Sequence, residues 1–320
     1  MHYRDISLVP NYSELESRSF ADARMAMPVH GSDIDRHFES PLIPANMKCT
    51  IGDVLAYDLS ESGYFYVMHR FDHDQLEWVK SNQNFDLISM SLGVKASDYE
   101  LINNIRKDNL RVDYITIDVA HGHHILMKNI LAHVRNQLPD VTIIAGNVAT
   151  VSGTIDLKAW GADVVKVGIG GGSACITKDQ TGFTTPMYST IQKIFDITHG
   201  VIPLIACGGA ESNGDLAKAI HAGANGIMVG GMLAACIDAP GKTFRDGNTT
   251  YKEYYGSASA ESKGENKHVE GAVRNLICNN TTYLETLHDT KEALQSAISY
   301  AGGKSLYDIR KAEYVRLNYY

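Results

Sequence analysis

The chain reads as an α/β protein built as a single (β/α)8 TIM barrel, residues 1–320, with a short active-site flap and a C-terminal extension. Three observations predict this. Eight short apolar runs alternate with amphipathic ones along most of the 320 residues. They recur at intervals of roughly 20–30 residues, which fits a closed barrel better than an open doubly wound sheet. Polar residues and glycines gather after the carboxyl ends of successive runs, where a barrel places its chemistry.

Taken in order, the strand candidates are residues 41–47, 64–68, 87–92, 114–119, 141–145, 163–167, 203–206 and 226–229. Each is short and almost wholly apolar, as a strand covered on both faces must be. Helical patterns fill the gaps at 53–60, 75–81, 99–107, 125–137, 154–160, 187–198 and 215–221. Repeated strand–helix alternation implies parallel pairing through crossover helices. No Pro/Ser linker or low-complexity tract divides the chain, and none of its runs leaves room for an inserted domain.

Composition narrows the function classes. Hydrophobic content of 44% and charged content of 21% are those of a globular protein. A formal charge of −8 argues against nucleic acid or an anionic membrane as the main partner. A bound phosphate would therefore be held locally, by amides and hydroxyls. The five cysteines form no CxxC pair, so neither a disulfide framework nor a zinc site is indicated. The start, Met1-His2-Tyr3-Arg4-Asp5, does not read as a signal peptide, and no run approaches the ~20 apolar residues of a membrane helix. A reducing, cytoplasmic location is the expectation.

The run Lys166-Val167-Gly168-Ile169-Gly170-Gly171-Gly172-Ser173-Ala174-Cys175-Ile176-Thr177 carries the most chemistry. A strand breaks into glycines and then presents one thiol, with a threonine two residues on. Glycines let backbone amides and carbonyls face a ligand, and a cysteine on such a loop suits a nucleophile. The same run could be a tight turn with an incidental thiol. Its place after the sixth strand, among Asn46-Met47, His69-Arg70, Asp118, Gly146-Asn147, Cys207-Gly208-Gly209 and Gly230-Gly231 at other strand ends, favours an active-site mouth. The glycine pairs after the seventh and eighth strands are where barrels often hold phosphate. His121 and His123 are two apart on a loop with no clustered carboxylates, so hydrogen bonding suits them better than a metal.

Several motifs together resemble the IMP dehydrogenase/GMP reductase family. They are Tyr3-Arg4-Asp5-Ile6-Ser7-Leu8-Val9-Pro10, Pro44-Ala45-Asn46-Met47, residues 63–71, residues 115–123 with Asp118, Ile144-Ala145-Gly146-Asn147-Val148, and the Cys175 loop with Thr181-Gly182-Phe183. Tyr254-Tyr255-Gly256-Ser257-Ala258-Ser259 and the stretch 294–303 complete the set, which spans nearly the whole chain. The resemblance favours the reductase branch. The dehydrogenase branch usually carries a regulatory insert and a flap with an Arg-Tyr pair. Here the flap, about residues 251–271, has no arginine among Glu261, Lys263, Glu265, Lys267, His268 and Glu270.

The resemblance implies a mechanism and a set of residues. Cys175 would attack the purine carbon bearing the amino group of GMP and release ammonia; hydride from NADPH would then complete IMP. The leaving amine needs a general acid, and Thr177 and Glu270 occupy the positions of the family's pair. Carbonyls of Gly170, Gly172 and Cys175 resemble a monovalent cation (K+) site. Asn46, Met47, Ser173, Gly208, Gly209, Gly230, Gly231 and Tyr254 resemble substrate contacts, with Ser173, Gly209, Gly230, Gly231 and Tyr254 cradling phosphate and Ser257 and Ala258 facing the base. Asp118 and Asn147 lie where cofactor contacts are expected, and a homotetramer is implied.

One position departs from the family. Where an aspartate normally accepts hydrogen bonds from both ribose hydroxyls, this chain has Cys207. A thiol is a weak acceptor, and a poorly paired hydroxyl costs on the order of 1–3 kcal/mol. Three readings follow: weaker ribonucleotide binding with another group serving the hydroxyls, loss of activity, or a preference for dGMP. Two further classes compete with a reductase, namely a non-catalytic nucleotide-binding regulator and a dehydrogenase lacking the insert.

Overall fold

A computed structural model describes residues 1–264 and 267–317 of the chain; Glu265, named above in the flap, lies outside the described residues. At the N-terminus, β1 (Ile6–Val9) pairs antiparallel with the C-terminal strand Glu313–Arg316, and β2 (Met25–Met27) pairs with β3 (Arg36–Phe38).

The centre is a curled parallel sheet of seven strands. They are β4 (Leu42–Pro44), β5 (Ser89–Leu92), β6 (Tyr114–Asp118), β7 (Thr142–Val148), β8 (Val164–Val167), β9 (Leu204–Cys207) and β10 (Gly226–Val229). The sheet order is β4-β10-β9-β8-β7-β6-β5, so consecutive strands lie side by side and the last returns beside the first. This is the α/β barrel architecture that the alternation predicts.

The second expected strand, residues 64–68, is corrected by the structure. It forms no ladder and contributes only a bridge, in which the Met68 amide donates to Ser89 O at 2.9 Å and the Ser91 amide to Met68 O at 3.0 Å. Its residues are buried as expected, but side chains fasten them. The Phe65 ring meets those of Phe38 and Tyr114 edge-on at 5.0 Å each, and the Tyr66 hydroxyl donates to Leu87 O at 2.6 Å. Apolar burial signals a place in the barrel wall, not a hydrogen-bonded register.

The outer helices are α1 (Asp53–Glu61), α2 (Gln75–Ser81), α3 (Ala96–Lys107), α4 (Ile125–Gln137), α5 (Val151–Ala159), α6 (Thr177–Thr181), α7 (Met187–Thr198) and α8 (Asn213–His221). Caps set the starts that apolar spacing places too late. Thr150 Oγ1 accepts from the Gly153 amide at 3.0 Å, so α5 opens at Val151 rather than 154. Ser212 Oγ does the same for Asp215, and α8 opens at Asn213 rather than 215.

After α9 (Gly231–Ala234) the chain leaves the barrel. A three-stranded antiparallel sheet follows, made of β11 (Thr243–Asp246), β12 (Thr249–Tyr255) and β13 (Val273–Ile277). The expected flap is therefore the connection between β12 and β13. Residues 251–255 belong to the strand, and the loop proper starts at Gly256 and includes α10 (Ala260–Lys263). Lys252 is buried on β12, its ammonium donating to Ala239 O at 2.6 Å and Thr243 Oγ1 at 2.9 Å, which pins the sheet to the barrel rim. The extension continues into α11 (Tyr283–Tyr300), which buries Leu287, Leu294 and Ile298 and donates the Tyr283 hydroxyl to Thr50 O, before the chain reaches the C-terminal strand beside β1.

Candidate active site

The carboxyl ends of the strands surround a cavity of about 420 Å³. Its wall takes Asn46 and Met47 from beyond β4, Asp118 from β6, Asn147 from β7, the Cys175 loop from β8 and Cys207 from β9. Tyr254, Ser257, Ala258 and Glu270 close it from the antiparallel sheet and its loop. A second cleft, about 360 Å³, lies at the opposite end of the barrel among Arg36, Arg106, Arg111 and Asp113 and is lined by no cysteine.

The thiol, hydroxyl and carboxylate expected to act together meet in line. Cys175 Sγ donates to Thr177 Oγ1 at 3.1 Å, and that hydroxyl donates to Glu270 Oε2 at 2.6 Å. Thr177 is held by the first turn of α6, which Gly182 terminates in the left-handed region at φ 77°. Glu270 is held by backbone. The Ile176 amide donates to Glu270 O at 2.9 Å, the Glu270 amide to Ala258 O at 3.0 Å, and the Ala272 amide to Ala174 O at 2.8 Å. Cys175 and Gly271 consequently form an antiparallel bridge, which ties the glycine loop to the flap.

The second cluster lies beside the cavity, at the ends of β9 and β10. A Cβ on Gly230 would collide with the Tyr254 hydroxyl and come within 2.9 Å of its ring carbon Cζ. Gly231 faces Ser173 Oγ, 3.8 Å from where its Cβ would be. Burial pushes the Tyr254 phenol up to about 12, with a hydrogen bond to Ser173 opposing, so near neutrality it offers a proton. Gly208 (φ 98°) packs backbone to backbone on the Cys175 loop, its Cβ position only 2.8 Å from the Gly172 amide nitrogen. Gly209 stands over the Met187 side chain, its Cβ position 3.2 Å from Met187 Cγ. Ser173, Gly208, Gly209, Gly230 and Gly231 thus border the cavity, whereas Tyr254 enters it.

Polar groups line the floor. Lys166 extends from β8 and is 2% exposed; its ammonium lies 2.6 Å from Asp118 Oδ1. Asn46 Nδ2 donates to the other Asp118 oxygen at 2.9 Å, and Arg70 donates to Asp118 O at 3.2 Å. Burial opposes the charge on Asp118, but Lys166, Asn46 and Arg70 outweigh it and hold the carboxyl below its usual range. Asn147 Nδ2 donates to Gly168 O at 2.6 Å, leaving Asn147 Oδ1 buried and unpartnered, as is Arg70 Nε. Burial pushes the Cys207 thiol up, so it stays protonated.

Lys166 and Arg70 line the cavity; the sequence reading placed Arg70 at a strand end and Lys166 at the start of the glycine run but gave neither a role. The signal was present for Lys166, a lone charge in the apolar strand Val164–Val167. Of the two loop histidines, His123 Nε2 pairs with Asp156 Oδ2 at 2.8 Å and packs on Trp160, while His121 is exposed. Among the described residues no group of three or more His, Cys, Asp or Glu could hold a metal ion, and no helix is long and apolar enough to cross a membrane.

The family model for the IMP dehydrogenase / GMP reductase domain matches residues 1–319. A protein named GMP reductase from Mesoplasma florum is 44% identical over 317 residues, covering 98% of this chain and 97% of that one. One of the same name from Albidiferax ferrireducens is 44% identical over 316 residues, covering 98% and 95%. A third, from Mycoplasma mycoides subsp. mycoides SC, is 42% identical over 320 residues, covering 99% and 98%.

Proposed function

The chain belongs to the IMP dehydrogenase/GMP reductase family, and from that premise we propose that it is a GMP reductase that works through a covalent purine adduct on Cys175. The observation that carries the reading is the line Cys175–Thr177–Glu270, with steps of 3.1 and 2.6 Å. In net terms GMP, NADPH and two protons give IMP, NADP+ and ammonium.

The residues supply the proton path. The thiol proton passes to Thr177 as the Thr177 proton passes to Glu270, which leaves a thiolate to attack the purine carbon that bears the amino group. Glu270, now protonated, returns the proton through Thr177 to the departing amine, so the group that activates the nucleophile also makes the leaving group good. NADPH, when bound, supplies the hydride taken up at that carbon, after which the carbon–sulfur bond breaks and Cys175 is regenerated. Asp118, Asn147 and Arg70 suit its carboxamide, because Asn147 Oδ1 is an unused acceptor and Arg70 Nε an unused donor at the cavity edge.

Ser173, Gly209, Gly230, Gly231 and Tyr254 would cradle the phosphate through amides and hydroxyls, and Ser257 and Ala258 would face the base. A K+ ion would rest on carbonyls of Gly170, Gly172 and Cys175, sharing the Gly172 carbonyl with the Cys175 amide that already donates to it at 3.0 Å. A second reading, preference for dGMP, rests on Cys207, whose protonated thiol is a weak acceptor for a ribose hydroxyl.

The test is NADPH oxidation with GMP and with dGMP, ammonia measured in parallel. Turnover that stops in Cys175→Ala while IMP still binds is expected. Undiminished turnover in that variant would reject the covalent route, and a hundredfold preference for GMP would reject the deoxy reading.

A further inference from the structure

We propose that Lys166 reads the sugar of the bound nucleotide, donating an N–H from the barrel floor to a ribose hydroxyl beside Cys207. The inference rests on the guanine-nucleotide reading above and deepens it. A lysine ammonium has three donors. Among the described residues, Lys166 Nζ spends one on Asp118 Oδ1 at 2.6 Å, and its other recorded acceptor is the weak thioether of Met228 at 3.8 Å. The side chain is buried and lines the cavity, so an N–H without a strong acceptor faces the space a ligand would fill. A buried donor left unspent is costly, and a ligand oxygen relieves that cost.

Asp118 receives Lys166 on one oxygen and Asn46 on the other, so it anchors the ammonium at the cavity floor. Cys207 stands beside Lys166 as a neutral thiol, with no charge to offer. The position along the ligand follows from the two ends of the site. The reacting carbon must lie at Cys175 on the β8 loop, and the phosphate at Tyr254 and Gly230 past β10. The sugar therefore spans the end of β9, above Cys207, with Lys166 of β8 and Met228 of β10 beneath it. An ammonium there favours a ribose hydroxyl where a thiol alone would not.

The test compares binding of GMP, 2′-deoxy-GMP and 3′-deoxy-GMP to the intact protein by calorimetry. The variants are Lys166→Met and the charge-balanced Lys166→Met/Asp118→Asn, with thermal unfolding as a folding check. We expect the wild type to bind GMP about tenfold or more tightly than at least one deoxy analogue. In a folded variant that ratio should fall to within about threefold. Ratios unchanged in the double variant, or no discrimination in the wild type, would overturn the role of Lys166. Binding with discrimination but no NADPH oxidation would instead reject the reductase reading and leave this one standing. Failure to bind any of the three nucleotides would reject both.

Discussion

Thr177→Val is the sharpest probe of the proton path. Valine keeps the shape of threonine and removes only the hydroxyl that stands between thiol and carboxylate. Two hydrogen bonds disappear, the 3.1 Å contact from Cys175 and the 2.6 Å contact to Glu270. Neither partner can bridge the gap, because Glu270 is tied by its own backbone to Ile176 and Ala258. General acid–base catalysis contributes about 10²–10⁴-fold, so the variant should lose about 3–5 kcal/mol of transition-state stabilisation at about 1.4 kcal/mol per tenfold. The loss should fall on kcat, with KM for GMP little changed, because in the proposed relay Thr177 handles protons and not the phosphate or sugar. Steady-state NADPH oxidation gives both constants, and mass spectrometry of the quenched enzyme tests for the adduct. A kcat within fivefold of wild type would refute the relay.

Three further perturbations follow. Gly230→Ala drives a Cβ into the Tyr254 hydroxyl; KM for GMP should rise about tenfold or more, in proportion to a lost hydrogen bond to a charged group, and nucleotide titration of folded protein checks it. His69 is held down to about 4 by burial, with His73 and Lys48 adding to the effect. Its neutral form is therefore favoured by folding. That stability is complete above the ordinary value of 6.5 and is lost as pH falls towards 4; between pH 7 and pH 5 about 2 kcal/mol should go. Urea unfolding of wild type and His69→Gln at both pH values measures it, and equal pH slopes would reject the assignment. Asp163 holds Arg135 at 2.8 Å, His30 at 2.7 Å and the Ile143 amide at 2.8 Å; Asp163→Ala should cost about 3–5 kcal/mol of stability in the same assay.

The barrel was legible because its signals are local. The bounds of α4 and α7 agree with apolar spacing alone, since each presents an unbroken stripe to the sheet. Residues 64–68 show the limit of such signals: composition reports burial, but a ladder depends on a neighbour strand that local sequence does not specify. The antiparallel sheet escaped notice because β12 buries only Lys252 and Tyr254, β13 is almost wholly exposed, and the two lie apart in sequence. At the site, Cys175 announces itself on its glycine loop. Glu270 does not; it sits in a charged loop 93 residues beyond Thr177, and only the family resemblance set it apart. Lys166 was hidden within an apolar run, where a single charge is easily taken for the edge of a strand.

The bridge between Cys175 and Gly271 makes the reactivity of the thiol a tertiary property. Cys175 cannot be exposed to an electrophile in its working geometry unless the β12–β13 connection is seated, since one rung holds both. Alkylation of Cys175 is then a gauge of flap closure, and a cut or insertion between Ala260 and His268 should register first as altered chemistry at a sulfur far away in sequence, before any loss of fold. In the proposed mechanism, then, the Cys175 thiol would be placed for attack only with the connection beside it seated.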